Sequence, residues 1–507
     1  MSEHPQVTRV LIVKNWLLSL ISWALPISLA LIVTPAIVHG LGEKAYGLFA
    51  VISGFISYSF TFGIGRVAAK YVAELHRNDE KERLSAAISA VLLISLVLGL
   101  GVIALVGFAA DDIVTNVLEI PAESAQTAIS ALYVAAVTIL LTMVSQVFQF
   151  ILQGLHRFDR FLLISNLSAV FLSIGNVALV LNGYGVVALV VWNCALTAAG
   201  ALLFANFAIR LLPGLRPTIL IDKKVWLTVA SYAVSIVGYQ LFGNALLLFE
   251  RAWIVKRFGT EQLTYYVVPM ALGFYFHGLV ASLVVVLFPV VNELLNDPAR
   301  LAKVYRTSTK AILALAVYFL VVMTLAGKPF LRVWMGDAFA DRSYDLLVTH
   351  AFTFGILALV TVVWQVTESF GAAKLNAVAN GAWFFIAVPL MVVLSETWQT
   401  EGVAAARLIG VFVLVPLIVI TEHRFLGGFK PAFWISLLVR LLIAAVAGAA
   451  TQWMVFRYMS EGWVATGLAV VLGGGIFAGV LWLAGFVAED EAATLAAITA
   501  RIKRSVS

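Results

Sequence analysis

Apolar residues run along almost the whole chain in blocks of about twenty, separated by short polar turns. A hydrocarbon core of ~30 Å needs about 20 apolar residues per helix, with a usual range of ~17–25. On that ruler spans fall near 16–38, 46–65, 84–109, 128–153, 162–182, 186–209, 229–255 and 263–290. Six more fall near 311–327, 346–370, 377–394, 403–421, 433–456 and 464–486. The pattern predicts an all-α polytopic membrane protein of about fourteen transmembrane helices, with no loop long enough to fold as a domain. The first span follows a polar stretch holding Arg9 and Lys14, is too long for a signal-peptide core and lacks a small-residue cleavage site. It is expected to stay in the mature protein.

Composition agrees. Of 507 residues 62% are hydrophobic and 12% charged, against roughly 45–50% and ~25% in a soluble domain. That leaves too little polar surface to clothe an ordinary cytosolic enzyme. The net charge of +6 would raise nucleic-acid binding in a soluble protein, but here the position of the basic residues matters more than their sum. With the N-terminus placed inside, 23 Lys and Arg fall on the inner side and 8 on the outer, counting Arg251 near the outer end of span 7 with the outer set. This bias puts both termini in the cytoplasm and makes the basic balance a matter of topology. Nucleic acid is not an expected partner. Past Val487, Leu495, Ile498 and Ile502 recur at helical spacing before Arg501, Lys503 and Arg504, which reads as an amphipathic tail on the cytoplasmic leaflet or a solvated one. Between Asp111 and Pro121 the alternation of acids with Ile113, Val117, Leu118 and Ile120 predicts a short interfacial helix.

One internal offset recurs. Ile37-Val38 with Gly42 meets Ile254-Val255 with Gly259 217 residues on, and Gly154-x-x-Arg157 meets Gly371-x-x-Lys374 at the same offset. Gly185-Val186 likewise meets Gly402-Val403. Shared offset and shared helix phase imply two six-helix lobes, 1–215 and 216–428, related by a pseudo-two-fold axis along the membrane normal. Residues 429–486 add two further helices, and 487–507 form the tail. Two parallel lobes around a midplane cavity suit alternating access, so transport is the leading class.

Reaction chemistry finds no foothold. Cys194 is the only cysteine, which excludes an internal disulfide and a thiolate metal cage. The seven histidines are never three or four residues apart, the spacing that puts two metal ligands on one helix face. There is no Gly-rich loop ending in Gly-Lys-Ser/Thr and no Gly-x-Ser-x-Gly elbow. No catalytic residue, metal or cofactor is assigned, and the chain reads as a non-enzyme.

Three stretches carry a family resemblance: Gly40-Leu41-Gly42-Glu43-Lys44-Ala45-Tyr46-Gly47, Phe62-Gly63-Ile64-Gly65-Arg66, and Gln153-Gly154-Leu155-His156-Arg157-Phe158-Asp159-Arg160-Phe161, followed by Asn182-Gly183-Tyr184-Gly185. With these the chain resembles the polysaccharide flippases, the O-antigen and repeat-unit translocases of the multidrug/oligosaccharidyl-lipid/polysaccharide exporter superfamily. The resemblance implies a MATE-like fold of two six-helix bundles and a bacterial inner-membrane location. It also implies a cargo of glycan repeat units on a polyprenyl pyrophosphate carrier, with membrane lipids and the glycosyltransferases or polymerase of the same pathway as partners. Gly42 and Gly47 are expected to bracket a tight turn by adopting positive φ.

Ionisable side chains inside spans are costly and ask for partners. Glu250 and Arg251 lie inside span 7 and, being adjacent, point ~100° apart, so each needs a partner of its own. Glu368 of span 10 is one candidate partner. Arg251 either pairs structurally or offers a bidentate guanidinium to a pyrophosphate or acidic sugar. Gln146, Gln149 and Gln153 form one stripe of span 4, facing either other helices or a cavity wall. Asn244 extends the polar set, Arg66 closes span 2 on the cytoplasmic side, and Arg440 in span 13 either snorkels or borders a groove in the appended helices. A cation-coupled drug exporter of the same superfamily and a membrane glycan polymerase or ligase are the competing readings. The first is disfavoured by the lack of an acid within spans 1 to 6, the second by short outer loops.

Overall fold

A computed structural model describes residues 9–58, 65–76, 80–213, 215, 223–284 and 287–486. The expected amphipathic tail and the motif residues Phe62, Gly63 and Ile64 lie outside the described residues. Every regular element among those described is helical. In chain order these are α1 Arg9–Leu41, α2 Glu43–Tyr58, α3 Gly65–Leu75, α4 Lys81–Asp112, α5 Ala122–Gly154, α6 Phe158–Leu181, α7 Val186–Leu211 and α8 Lys223–Val284. They continue as α9 Leu287–Glu293, α10 Pro298–Leu325, α11 Gly327–Met335, α12 Asp337–Ser369, α13 Ala373–Val411, α14 Val415–Phe425, α15 Pro431–Tyr458 and α16 Trp463–Leu483.

Eleven helices among the described residues are long and apolar enough to cross a membrane. Two of the spans short of the expected fourteen are folded into helical hairpins. At about 1.5 Å per residue, the 62 residues of α8 would be far too long for one crossing, and α8 is a helical hairpin. Its backbone breaks at Gly259, with φ 87° and ψ 170°. The Tyr266 hydroxyl donates to Glu250 Oε1, sixteen residues earlier, a contact a straight helix cannot make. In the same way α13 breaks at Gln399, and Trp383 Nε1 reaches the carbonyl of Arg407 at 3.3 Å. Of the second expected span, α2 holds the residues up to Tyr58, and residues 59–64 lie outside the described residues.

The interfacial helix expected between Asp111 and Pro121 is not a separate element. α4 runs on into a π-helical turn, Ile113–Val117, which buries Val114, and Pro121 then sits at the N-terminal cap of α5. The apolar alternation there is read better as one side of a continuing helix than as a new one.

Close packing divides the chain into two compact units, one of residues 1–268 and 374–413, the other of 269–373 and 414–507. In the first, α5 packs along α3, α4 and α7, while α1 lies on α6 through Ile37, Val180 and Leu189. In the second, α10 packs on α12 and α15, and α15 pairs with α16 around Leu437, Leu441, Ala444, Phe477 and Leu481. In both units the outward faces are apolar. Ile435, Leu438, Leu442 and Val446 of α15 are exposed, which is what a lipid-facing helix requires.

The combination of φ and ψ at Gly259 is one that residues with a Cβ almost never adopt. Gly259→Ala is therefore expected to destabilise the purified protein by about 1–3 kcal/mol, whereas Gly101→Ala, in the open interior of α4 with nothing close by, should be neutral or better. Thermal unfolding in detergent checks this, and equal melting of the two variants would contradict the hairpin's dependence on Gly259.

Candidate functional site

The strongest concentration of charge in the first unit is built by the two hairpins. The first arm of α8 supplies Glu250 and Arg251, the second arm supplies Tyr266, and the second arm of α13 supplies Arg407. Glu250 is fully buried and Arg407 is 2% exposed. Arg407 Nη1 donates to Glu250 Oε2 at 2.6 Å, and the Tyr266 hydroxyl donates to Oε1. Both carboxylate oxygens are thus engaged. Arg407 is further backed by the Trp383 ring, 5.7 Å from its guanidinium carbon.

Arg251 is bound quite differently. It is 8% exposed, its guanidinium carbon lies 4.7 Å from the centre of the Tyr58 ring, and Nη1 donates to the carbonyl of Leu247 at 3.3 Å. Its Nε has no hydrogen-bond partner. Among the described residues Arg251 makes no ion pair. Gly54 of α2 gives the side chain its room, because a Cβ there would stand 2.9 Å from Nε. One buried acid and two buried arginines leave one positive charge over, and it falls on Arg251. A cation held by an aromatic face and a single carbonyl keeps most of its donors for an anion.

The pairing of Arg251 with Glu368 is not made. Glu250 has found Arg407 instead, and Glu368, half-buried near the C-terminal end of α12, belongs to the second unit. Arg407 is not among the candidates read from the sequence. An arginine in mid-span is itself the signal that a buried acid stands opposite. Tyr266 gave no signal, since its role depends on the α8 hairpin.

The glutamine stripe separates. Gln149 lines a cavity of about 260 Å³ between α5, α6 and α7, together with Thr142, Ser145, Ser165, Asn193 and Thr197. Its Nε2 donates to Ser145 Oγ at 3.0 Å. Gln146 and Gln153 are half-buried on α5 and do not line this cavity. The wall holds hydroxyls and amides with no charged group, a surface that can exchange hydrogen bonds with a neutral polyol. Asn244 is half-buried on the first arm of α8, and Arg66 is exposed at the start of α3. Arg440 lies elsewhere, on α15 in the second unit, where its Nη1 donates to the Gly485 carbonyl at 2.7 Å.

The Gly40–Gly47 motif does more than turn the chain. Gly42 has φ 80° as expected, but Gly47 is helical, and a Cβ there would overlap the Thr260 carbonyl oxygen. The expectation of positive φ at Gly47 is corrected: glycine is needed for close approach of α2 to the α8 break. Around that contact Thr264 Oγ1 donates to the Glu43 carbonyl at 2.6 Å and Tyr265 to the Glu43 carboxylate. Lys44 pairs with Glu123, and Lys256 with Glu119 at 3.0 Å. The α1–α2 turn, the α4–α5 turn and the α8 break are laced together at one end of the unit.

A family model described as "Polysaccharide biosynthesis protein" matches residues 41–343, more than half of the chain. The chain belongs to that family. The motif resemblance to the polysaccharide flippases agrees with that family, and the apolar helices make the chain a multi-pass membrane protein. A "Putative O-antigen transporter" of Shigella flexneri is 20% identical over 412 residues, covering 78% of this chain and 93% of the relative. In fold the chain is similar to a lipid II flippase MurJ in an inward closed conformation, with TM-score 0.73, 15% identity, and coverage of 92% of this chain and 98% of that one. It is also similar to an inward-facing multidrug resistance MATE transporter, with TM-score 0.67, 15% identity, and coverage of 81% and 98%.

Removing one member of a buried ion pair leaves the other unneutralised, which typically costs about 3–5 kcal/mol. Arg407→Leu and Glu250→Leu should each sharply reduce folded protein, and the double variant should recover part of the loss. Abundance in membranes and melting in detergent measure this. Additive losses in the double variant would show that the two do not act as a pair.

Proposed function

We propose that the protein carries a polyprenyl-pyrophosphate-linked glycan repeat unit from the cytoplasmic to the outer leaflet of a bacterial inner membrane. Transport takes place by alternating access of two six-helix lobes, 1–215 and 216–428, with residues 429–486 appended. The observation that carries this reading is Arg251, a buried cation whose neighbouring acid is already committed to Arg407. A pyrophosphate supplies the missing charge and suits the planar donor fork of a guanidinium. The uncharged cavity around Gln149 and Asn193 suits sugar hydroxyls. No covalent step is needed, so the chain acts as a transporter with no catalysed reaction.

The 23 to 8 bias of basic residues supports cytoplasmic termini, which places the α1–α2 turn and the Gly259 break on the outer side. On that reading the contacts of Gly47 with Thr260 and of Lys256 with Glu119 join the two lobes and must part each time the cargo leaves outward. The pathway's glycosyltransferases or polymerase are the natural partners on either side of the step. The drug-exporter reading needs an acid able to exchange a proton or cation during the cycle. Glu250, with both oxygens engaged, is poorly placed for that.

Arg251→Ala is expected to abolish export of the lipid-linked glycan at normal protein level. Arg251→Lys should rescue it only in part, because a point charge lacks the bidentate geometry. Surface glycan on cells lacking the native gene, complemented with each variant, is the measurement. Wild-type export by Arg251→Ala would remove Arg251 from the site.

A further inference from the structure

The second unit holds a basic cavity that the translocation reading does not use. It has a volume of about 320 Å³ and lies between α10, α15 and the chain just past α16. Lys303, Arg306 and Lys310 follow one another at i, i+3 and i+7 on α10, one face of a helix. Arg440 faces them from α15, held by its bond to the Gly485 carbonyl. Among the described residues the wall contains these four cations and no carboxylate. Glu422 of α14, which lies close enough to influence Arg306, accepts from Trp434 Nε1 at 3.0 Å and is not part of the wall.

Two aromatic rings fix the cations in place. The Arg306 guanidinium lies 5.8 Å from the centre of Phe433, and the Lys310 ammonium 5.2 Å from that of Phe486. Both rings are also part of the apolar packing between α10, α15 and α16. Further along α15, Leu438, Val439 and Leu442 are exposed. The cavity therefore places a polycationic mouth directly beside a lipid-facing apolar surface, the arrangement that suits a charged head and hydrocarbon tails together. Its volume is near the lower end of the range of roughly 300–1,000 Å³ for small-molecule pockets, enough for a phosphate headgroup and too small for an oligosaccharide.

We infer that this cavity is a binding site for a lipid phosphate, occupied by the headgroup of an anionic phospholipid of the surrounding leaflet. It anchors α15 and α16 against α10, in the unit that does not hold Arg251. The basic residues do not merely mark topology here. Positive-inside bias requires cations near helix ends, but it does not require four of them to converge on one cavity from two helices.

The test uses the full-length protein in detergent and in nanodiscs of phosphatidylcholine, with labelled phosphatidylglycerol as the probe. The wild type should retain phosphatidylglycerol at least tenfold more tightly than labelled phosphatidylcholine. Arg306→Gln combined with Arg440→Gln should remove that preference, and Lys310→Gln alone should weaken it severalfold. Arg457→Gln, an exposed cation at the far end of α15, should leave it intact, and melting temperature reports whether each variant is folded. Inorganic phosphate at millimolar concentration should not displace the lipid, since it lacks the tails. An absence of preference in the wild type, or an unchanged preference in both pocket variants, would overturn the inference. Displacement by free phosphate, or by polyprenyl pyrophosphate at a tenfold lower concentration than by phosphatidylglycerol, would overturn the assignment to a phospholipid.

Discussion

An ionised side chain inside a membrane bundle has no water to turn to, so its charge must be met by another group of the protein or by a ligand. Glu250 meets that demand within the chain. Arg407 and Tyr266 take its two oxygens, at burial where only good geometry offsets the loss of hydration. Because that acid is committed, Arg251, one residue on, is left with a ring and one carbonyl. The two adjacent residues differ in their partners because a helix turns by about 100° per residue. One side chain is directed to a structural partner and its neighbour away from it.

The geometry depends in turn on the backbone. Tyr266 reaches Glu250 only because α8 folds back at Gly259, and Arg407 is placed by the matching break of α13 at Gln399. The same α8 break carries Thr260, Thr264 and Tyr265 to the α1–α2 turn, where Gly47 lets the two backbones touch. One hairpin therefore links the buried charge cluster to the laced end of the unit. Any change that opens the lacing must act on the helix that bears Glu250 and Arg251. That is a direct mechanical route between the buried charge cluster and the laced end.

Much of the fold was legible in the sequence because the bilayer imposes a length on every helix. Blocks of apolar residues, the bias of basic residues and the Gly40–Gly47 motif led to an all-helical membrane protein resembling the polysaccharide flippases, and the matching family model is one of polysaccharide biosynthesis proteins. The site was only partly legible. Glu250 and Arg251 stood out by their cost in a span, yet their partners did not. Glu368 was the one candidate partner named, since sequence spacing says nothing about which helices meet. Periodicity places Gln146, Gln149 and Gln153 on one side of α5, and of the three Gln149 lines the cavity between α5, α6 and α7. Gly47 was misread because a glycine in a turn motif suggests positive φ, whereas its service is to have no Cβ against Thr260.

The central claim is that the unneutralised charge of Arg251 recognises a lipid pyrophosphate. The most direct measurement is equilibrium binding of a short-chain polyprenyl pyrophosphate, against the corresponding polyprenol, to purified protein in nanodiscs of neutral lipid. Wild-type protein should prefer the pyrophosphate by at least tenfold, about 1.4 kcal/mol. Arg251→Ala, equally folded, should bind the two alike. A full preference for the pyrophosphate in Arg251→Ala would contradict the claim.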